Sequence, residues 1–150
     1  MRLLIQRVNH ASVSVDNSVY SSIKNGLLVL CGIEEFDDTD DIAWLVQKLI
    51  NLRIFPDENG MMNLSIIDLN YEILFVSQFT LHASTKKGNR PSFIKAAKPE
   101  KAKELYNNFV EALKSQIGVN LKCGIFAADM KINLENDGPV TIFIDSKSRE

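Results

Sequence analysis

The sequence predicts a single α/β domain spanning residues 1–150, built of many strands and two long helices. Three observations carry this. Short runs rich in Leu, Ile and Val alternate with turn residues, which is the mark of strands. Two other stretches, 38–52 and 99–118, repeat their apolar residues at helical spacing. No repeat, linker or low-complexity tract divides the chain, and 150 residues suit one domain able to bury roughly 70% of its unfolded surface.

Residues 2–9 read as a strand. Residues 11–15 alternate in period two, Asp16-Asn17 turns the chain, and 19–23 return as the second arm of a hairpin. Asn25-Gly26 marks the next turn. Leu27-Leu28-Val29-Leu30-Cys31 is continuously apolar, as in a strand covered on both faces. Asp38 or Thr39 caps a helix running to about Leu52, with Ile42, Leu45, Val46 and Leu49 on one face. The acids Asp38, Asp40 and Asp41 fall in its first turn, where the helix dipole favours them. The segment 56–60 is a loop, and 61–69 holds a short strand or excursion. Residues 73–80 form the next strand, and 86–99 an ordered loop.

Pro99 opens the second helix, Ala102, Leu105, Tyr106, Phe109, Ala112 and Leu113 make its stripe, and Gly118 stops it. Residues 121–127, 130–134 and 140–144 read as three strands. Asn136-Asp137-Gly138 gives a hairpin signal between the last two.

Composition narrows the function. Hydrophobic residues make up 45%, no run approaches the about 18 apolar residues of a membrane span, and the N-terminus carries no signal-peptide pattern. A cytoplasmic protein is expected. Cys31 and Cys123 read as buried, reduced thiols. His10 and His82 are the only histidines, and neither joins a cluster with metal-ligand spacing, so no metal or cofactor is expected. Net charge is -2, yet the interval between Glu72 and Glu100 holds no acid and carries Lys86, Lys87, Arg90, Lys95 and Lys98. Such a segment attracts phosphates even on a mildly acidic protein.

Two short motifs bear on chemistry. Ser77-Gln78-Phe79-Thr80-Leu81 places two hydroxyls and an amide at the end of an apolar run. Hydroxyl, amide and strand-end N–H donors together suit an ester carbonyl or an oxyanion. A Thr nucleophile needs a base. His82 lies two residues on, but no neighbouring carboxylate orients it, and it reads as a surface histidine. The second motif, Asn136-Asp137-Gly138-Pro139-Val140-Thr141, sets a Gly-Pro pair at the mouth of a strand. Only about 5–6% of X-Pro bonds in folded proteins are cis, so the pair by itself reads as trans.

Together the motifs resemble the D-aminoacyl-tRNA deacylase family, also called D-Tyr-tRNA deacylase. The resemblance runs from Ile5-Gln6-Arg7-Val8 through Lys87-Gly88-Asn89-Arg90-Pro91-Ser92-Phe93 to the Gly-Pro motif. It implies a barrel-like mixed β core flanked by the two helices, and an obligate homodimer with active sites at the subunit interface. It implies that Ser77, Gln78, Phe79 and Thr80 form the catalytic site. Gly138-Pro139 is then cis, enters the partner's active site, and offers two carbonyls to the substrate's α-ammonium. Arg7, with Val140 and Thr141, supports that corner.

On this reading a D-side chain projects outward, an L-side chain meets backbone, and glycine passes. The substrates are D-aminoacyl-tRNA and Gly-tRNA. Lys86, Lys87 and Arg90 are candidates for the tRNA phosphates. Phe93 and Phe126 are open between stacking on the terminal adenine and packing in the core. The attacking group is open between Thr80 and a water, with water preferred because no base for Thr80 is visible. Two rivals stand beside the deacylase: a non-catalytic RNA-binding dimer, and a hydrolase of some other amino ester.

Overall fold

The structure is a computed structural model and describes residues 1–149. In chain order its elements are β1 (Arg2–Val15), β2 (Ser18–Ile23), β3 (Gly26–Gly32), α1 (Thr39–Ile50), β4 (Phe55–Pro56), β5 (Met62–Leu64), α2 (Ile66–Leu69), β6 (Glu72–Ser77), a 3-10 turn (Phe79–His82), α3 (Pro99–Ile117), a second 3-10 turn (Gly118–Asn120), β7 (Leu121–Cys123) and β8 (Lys131–Asp145). The expected single α/β domain with two long helices is present, and α2 adds a third, short one.

β1 organises the sheet. Its first half pairs antiparallel with β3, its second half with β2, and β8 runs antiparallel along its other edge. Parallel ladders then join β3 to β6 and β6 to β7. β2 folds back toward the far end of this order, where Ser21 Oγ donates to the Cys123 carbonyl at 2.8 Å. The mixed sheet is thereby curled into a nearly closed barrel.

Side-chain alternation sorts the apolar residues onto two faces. Leu3, Ile5, Leu27, Val29, Ile73 and Phe75 face a core roofed by α1 and α3. Val8, Ala11, Val13, Leu28, Leu74 and Val76 face the barrel interior. Both faces of β3 and β6 are covered, which is why their sequences are unbroken apolar runs. Within the helical core Phe75 stacks on Phe109 and Tyr106, and the Tyr106 hydroxyl donates to the Phe75 carbonyl at 2.9 Å. A methyl at Gly26 would stand 1.9 Å from the Glu72 carbonyl oxygen, so only glycine lets β3 begin this close to β6.

Local signals set the element ends. Asp38 caps α1 and forms a reciprocal capping box with Asp41. Asp16 and Asn17, both at positive φ, close the first hairpin. Gly118, at φ +55°, ends α3. Cys31 is buried and Cys123 half-buried, both free thiols. Burial pushes both up, Cys123 to about 11. The Met1 ammonium lies buried between Asp37 and Ser146 Oγ.

Three expectations are corrected. The stretch 73–80 is not all strand: β6 ends at Ser77 and the chain turns. The strand expected over 121–127 stops at Cys123, and Ala127 stands at φ +63°. The last two expected strands are one. β8 pairs with β1 along its length, so no hairpin forms at Asn136-Asp137-Gly138. Instead Val8 pairs with Asn136 and Gln6 with Thr141, and the surplus residues of β8 bulge outward between them.

Candidate active site

Ser77 ends β6, and the chain tightens into the 3-10 turn just after Gln78. The Gln78 main-chain N–H donates to the Cys31 carbonyl at 2.7 Å. The turn's first internal bond runs from Leu81 N–H to the Gln78 carbonyl at 3.3 Å. The Phe79 and Thr80 N–H groups lie ahead of it, as donors at a helix start do. Gln78 Nε2 donates to Thr80 Oγ1 at 2.6 Å. Arg2 holds the far side of the turn: Nη1 donates to the Leu81 carbonyl at 2.9 Å, while Nε pairs with Asp145 at 2.8 Å.

Gly32 lets β3 pass close beneath. A methyl there would lie 2.9 Å from Leu81 Cβ and 3.0 Å from the Gln78 carbonyl oxygen. His82 is not the expected surface residue. It is 1% exposed, and neither ring nitrogen has a hydrogen-bond partner among the described residues. Burial disfavours the imidazolium and holds its pKa below the ordinary value. Thr80, by contrast, is exposed.

An open cavity of about 760 Å³ faces the start of this turn, lined in part by Ser77, Gln78, Phe79, Phe93, Phe126 and Met130. Phe79 and Phe93 meet edge-on with centroids 5.0 Å apart. Phe126 has a double role. One side packs on the core, 5.6 Å from the Tyr106 ring, and the residue also lines the cavity. Sequence reasoning missed Met130, which is carried in by the segment between β7 and β8 and lies over Gly124. No local pattern marks it, since only the fold brings that segment to Ser77.

The cationic residues Lys86, Lys87 and Arg90 are exposed on a loop beside the site and do not line the cavity. Ser84 and Ser92 exchange main-chain bonds at 2.8 and 2.9 Å and pinch the base of that loop.

The Gly138-Pro139 peptide bond is cis, where the pair alone reads as trans. Arg7 grips the bulge that carries it. Nε donates to the Asp137 carbonyl at 3.2 Å and lies 2.9 Å from the Asp137 carboxylate, while Nη1 donates to the Ile54 carbonyl at 2.6 Å. Gly138 and Pro139 themselves are exposed, and Val140 packs partly against the helical core.

The two motifs do not meet within one chain. Across the ladders Arg7 is level with Leu27 and Ile73, whereas Ser77 is level with Cys31, four residues on from Ile73. That offset is about 13 Å along the strands, with three ladders between β8 and β6 besides.

Known proteins resemble the chain over nearly its whole length. A curated protein of Flavobacterium psychrophilum, named D-aminoacyl-tRNA deacylase, is 58% identical over 150 residues, covering all of both chains. One of the same name from Finegoldia magna is 60% identical over 148 residues, 99% of each chain. Among solved structures, one titled "c-Myc DNA Unwinding Element Binding Protein" superposes with a TM-score of 0.92 at 42% identity, covering 97% of this chain and 98% of the other. Another, titled as a probable eukaryotic D-amino acid tRNA deacylase, shares the fold at a TM-score of 0.84 and 18% identity, covering 95% of this chain and 97% of the other. The family model described as D-Tyr-tRNA(Tyr) deacylase matches residues 4–145, and the chain belongs to that family.

Proposed function

We propose that the protein hydrolyses the ester joining a D-amino acid, or a misplaced glycine, to the 3′ end of tRNA. It does so in the cytoplasm as a homodimer, in which the Gly138-Pro139 corner of one copy completes the Ser77-to-Thr80 site of the other. One observation carries the dimeric site: within a chain the exposed corner and the turn stand at different levels of the sheet, on strands three ladders apart.

The terminal adenosine enters the cavity between Phe93 and Phe126, whose ring faces suit stacking on an unpaired base. The ester carbonyl then lies at the turn. The Phe79 and Thr80 N–H groups, with Ser77 and Gln78 beside them, receive the charge that grows on its oxygen. The corner's two main-chain carbonyls accept from the α-ammonium, because carbonyls accept and ammonium donates. With ammonium and ester both held, hand decides where the side chain goes. A D-residue points it to solvent, an L-residue into the corner, and glycine has none to misplace.

Water is the attacking group. Thr80 Oγ1 already accepts from Gln78, and His82 is sealed away from solvent, so Thr80 has no base beside it. Lys86, Lys87 and Arg90 neutralise phosphates of the acceptor end as it crosses the loop.

The test is deacylation of matched D- and L-Tyr-tRNA, followed by subunit exchange. A corner variant and a turn variant, each inactive alone, regain activity when mixed, because each mixed dimer holds one intact site. Equal cleavage of both hands removes the function proposed. Selective cleavage without recovery on mixing removes the shared site.

A further inference from the structure

We propose that Asn136 is a positioning residue: its carboxamide orients the Gly138-Pro139 corner and thereby sets the strictness of the enzyme for hand. This rests on the reading that the corner is the chirality filter.

The argument starts from the bulge. β8 is paired to β1 at Asn136 and again at Thr141, and between them it leaves the ladder. Residues 137–140 therefore lack the cross-strand bonds that hold the rest of β8 in register. Gly138 adds a backbone at φ +128°, a region that other residues rarely occupy. Exposed and unpaired, such a loop has no intrinsic reason to present its carbonyls in one direction.

Asn136 supplies that reason from inside the neck. Its Oδ1 accepts from the Val140 N–H at 2.8 Å. Its Nδ2 donates to the Val140 carbonyl at 3.2 Å and to Thr141 Oγ1 at 3.2 Å. One amide thus satisfies both main-chain groups of Val140, as a neighbouring strand would have done. Thr141 Oγ1 also receives Gln6 Nε2 at 3.3 Å, which ties the clasp back to β1. Arg7 holds the other limb through Asp137. The corner is suspended between these two fastenings, and Asn136 is the one that fixes the limb leaving Pro139.

A carboxamide both accepts and donates at this reach. Aspartate keeps the bond from Val140 N–H and loses both donors. Alanine loses all three bonds.

The experiment measures kcat/KM on D-Tyr-tRNA and on L-Tyr-tRNA for wild type, Asn136→Ala, Asn136→Asp and Gly138→Ala, each corrected for folded protein by its thermal unfolding curve. Asn136→Ala is expected to lower the D-to-L ratio by about tenfold or more, and Asn136→Asp by less. A purely structural role would lower both rates together and leave the ratio alone. An unchanged ratio in Asn136→Ala therefore overturns the proposal. Should that variant fail to fold, Asn136→Asp decides on the same ratio.

Gly138→Ala separates the two levels of the reading. Its methyl would stand 2.8 Å from Val140 Cγ2 and 3.1 Å from Arg7 Nη2, which moves the corner itself. A reduced ratio there with an unchanged one at Asn136 leaves the filter standing and removes the role of Asn136. An unchanged ratio in Gly138→Ala removes the filter, and the role of Asn136 with it.

Discussion

Arg7 Nη1 donates to the Ile54 carbonyl at 2.6 Å, and the same guanidinium pairs with Asp137. One buried side chain of β1 thus joins the segment entering β4 to the bulge of β8. Arginine suits the post because its planar fork aims several donors at once, whereas lysine offers a single point charge.

Arg7→Lys should therefore keep the charge and lose part of the grip. We expect a loss of about 1.5–3 kcal/mol in stability, the range for hydrogen bonds to charged groups. Deacylation of D-Tyr-tRNA should fall by at least about tenfold. Denaturant unfolding and kcat/KM measure the two effects. A lysine variant as stable and as active as the parent would contradict the bracing role.

Thr80→Ala distinguishes the two attacking groups. With water attacking, kcat should remain within about threefold of the parent, since only the hydrogen bond from Gln78 is lost. Loss of a covalent nucleophile would instead cost several orders of magnitude with an intact fold. Single-turnover rates on D-Tyr-tRNA separate these outcomes.

Gly32→Ala should displace the turn without touching substrate. Its methyl would crowd Leu81 Cβ and the Gln78 carbonyl, and overpacking of this kind costs about 1–3 kcal/mol. The expected signature is a reduced kcat with KM nearly unchanged, because the Phe93 and Phe126 side of the cavity stays in place. A rise in KM with kcat unchanged would place the disturbance elsewhere.

Replacing Lys86, Lys87 and Arg90 together with alanine should weaken tRNA use and flatten its salt dependence. Each lost phosphate contact reduces the slope of log affinity against log salt by about 0.7–0.9. Discrimination between D- and L-Tyr-tRNA should survive, since these side chains lie outside the cavity. An unaltered slope would remove the loop from the tRNA interface.

Acid should unfold the protein through two paired carboxylates. Burial alone would raise Asp41, but Lys147 at 2.7 Å, with Ser146 and the Asp38 N–H, outweighs it and holds the carboxyl low. Burial likewise opposes the Arg2 pairing at Asp145, and again the pairing prevails. Both pKa values are depressed on folding. Their contribution is complete above the ordinary carboxylate range and is lost as pH falls through the depressed values. Thermal midpoints should hold near neutrality and drop below about pH 4. Asp41→Asn should lower the neutral midpoint and shallow that drop; a drop as steep as the parent's would assign acid unfolding to other groups.

Much of this was legible in the chain because the physics is local. The capping box of α1 needs only Asp38 and Asp41. The hairpin at Asp16-Asn17 needs only two residues that tolerate positive φ, and the covered strands β3 and β6 announce themselves as unbroken apolar runs. The two motifs marked the family for the same reason: their residues are contiguous.

The failures share the opposite cause. Asn136-Asp137-Gly138 has the composition of a hairpin, yet β1 is long enough to pair both halves of β8, and a continuous ladder with a bulge won over a local turn. β6 stops at Ser77, where its ladder with β3 ends and the Gln78 N–H makes the last bond, to Cys31 on another strand. His82 disappears beneath Gly32, which no neighbour in sequence foretells. Sequence alone determined which side chains are available for chemistry. Tertiary structure decided where they stand, setting the Gly138-Pro139 corner and the Ser77 turn on separate strands and levels of one sheet, because strand register is a property of pairs and not of segments.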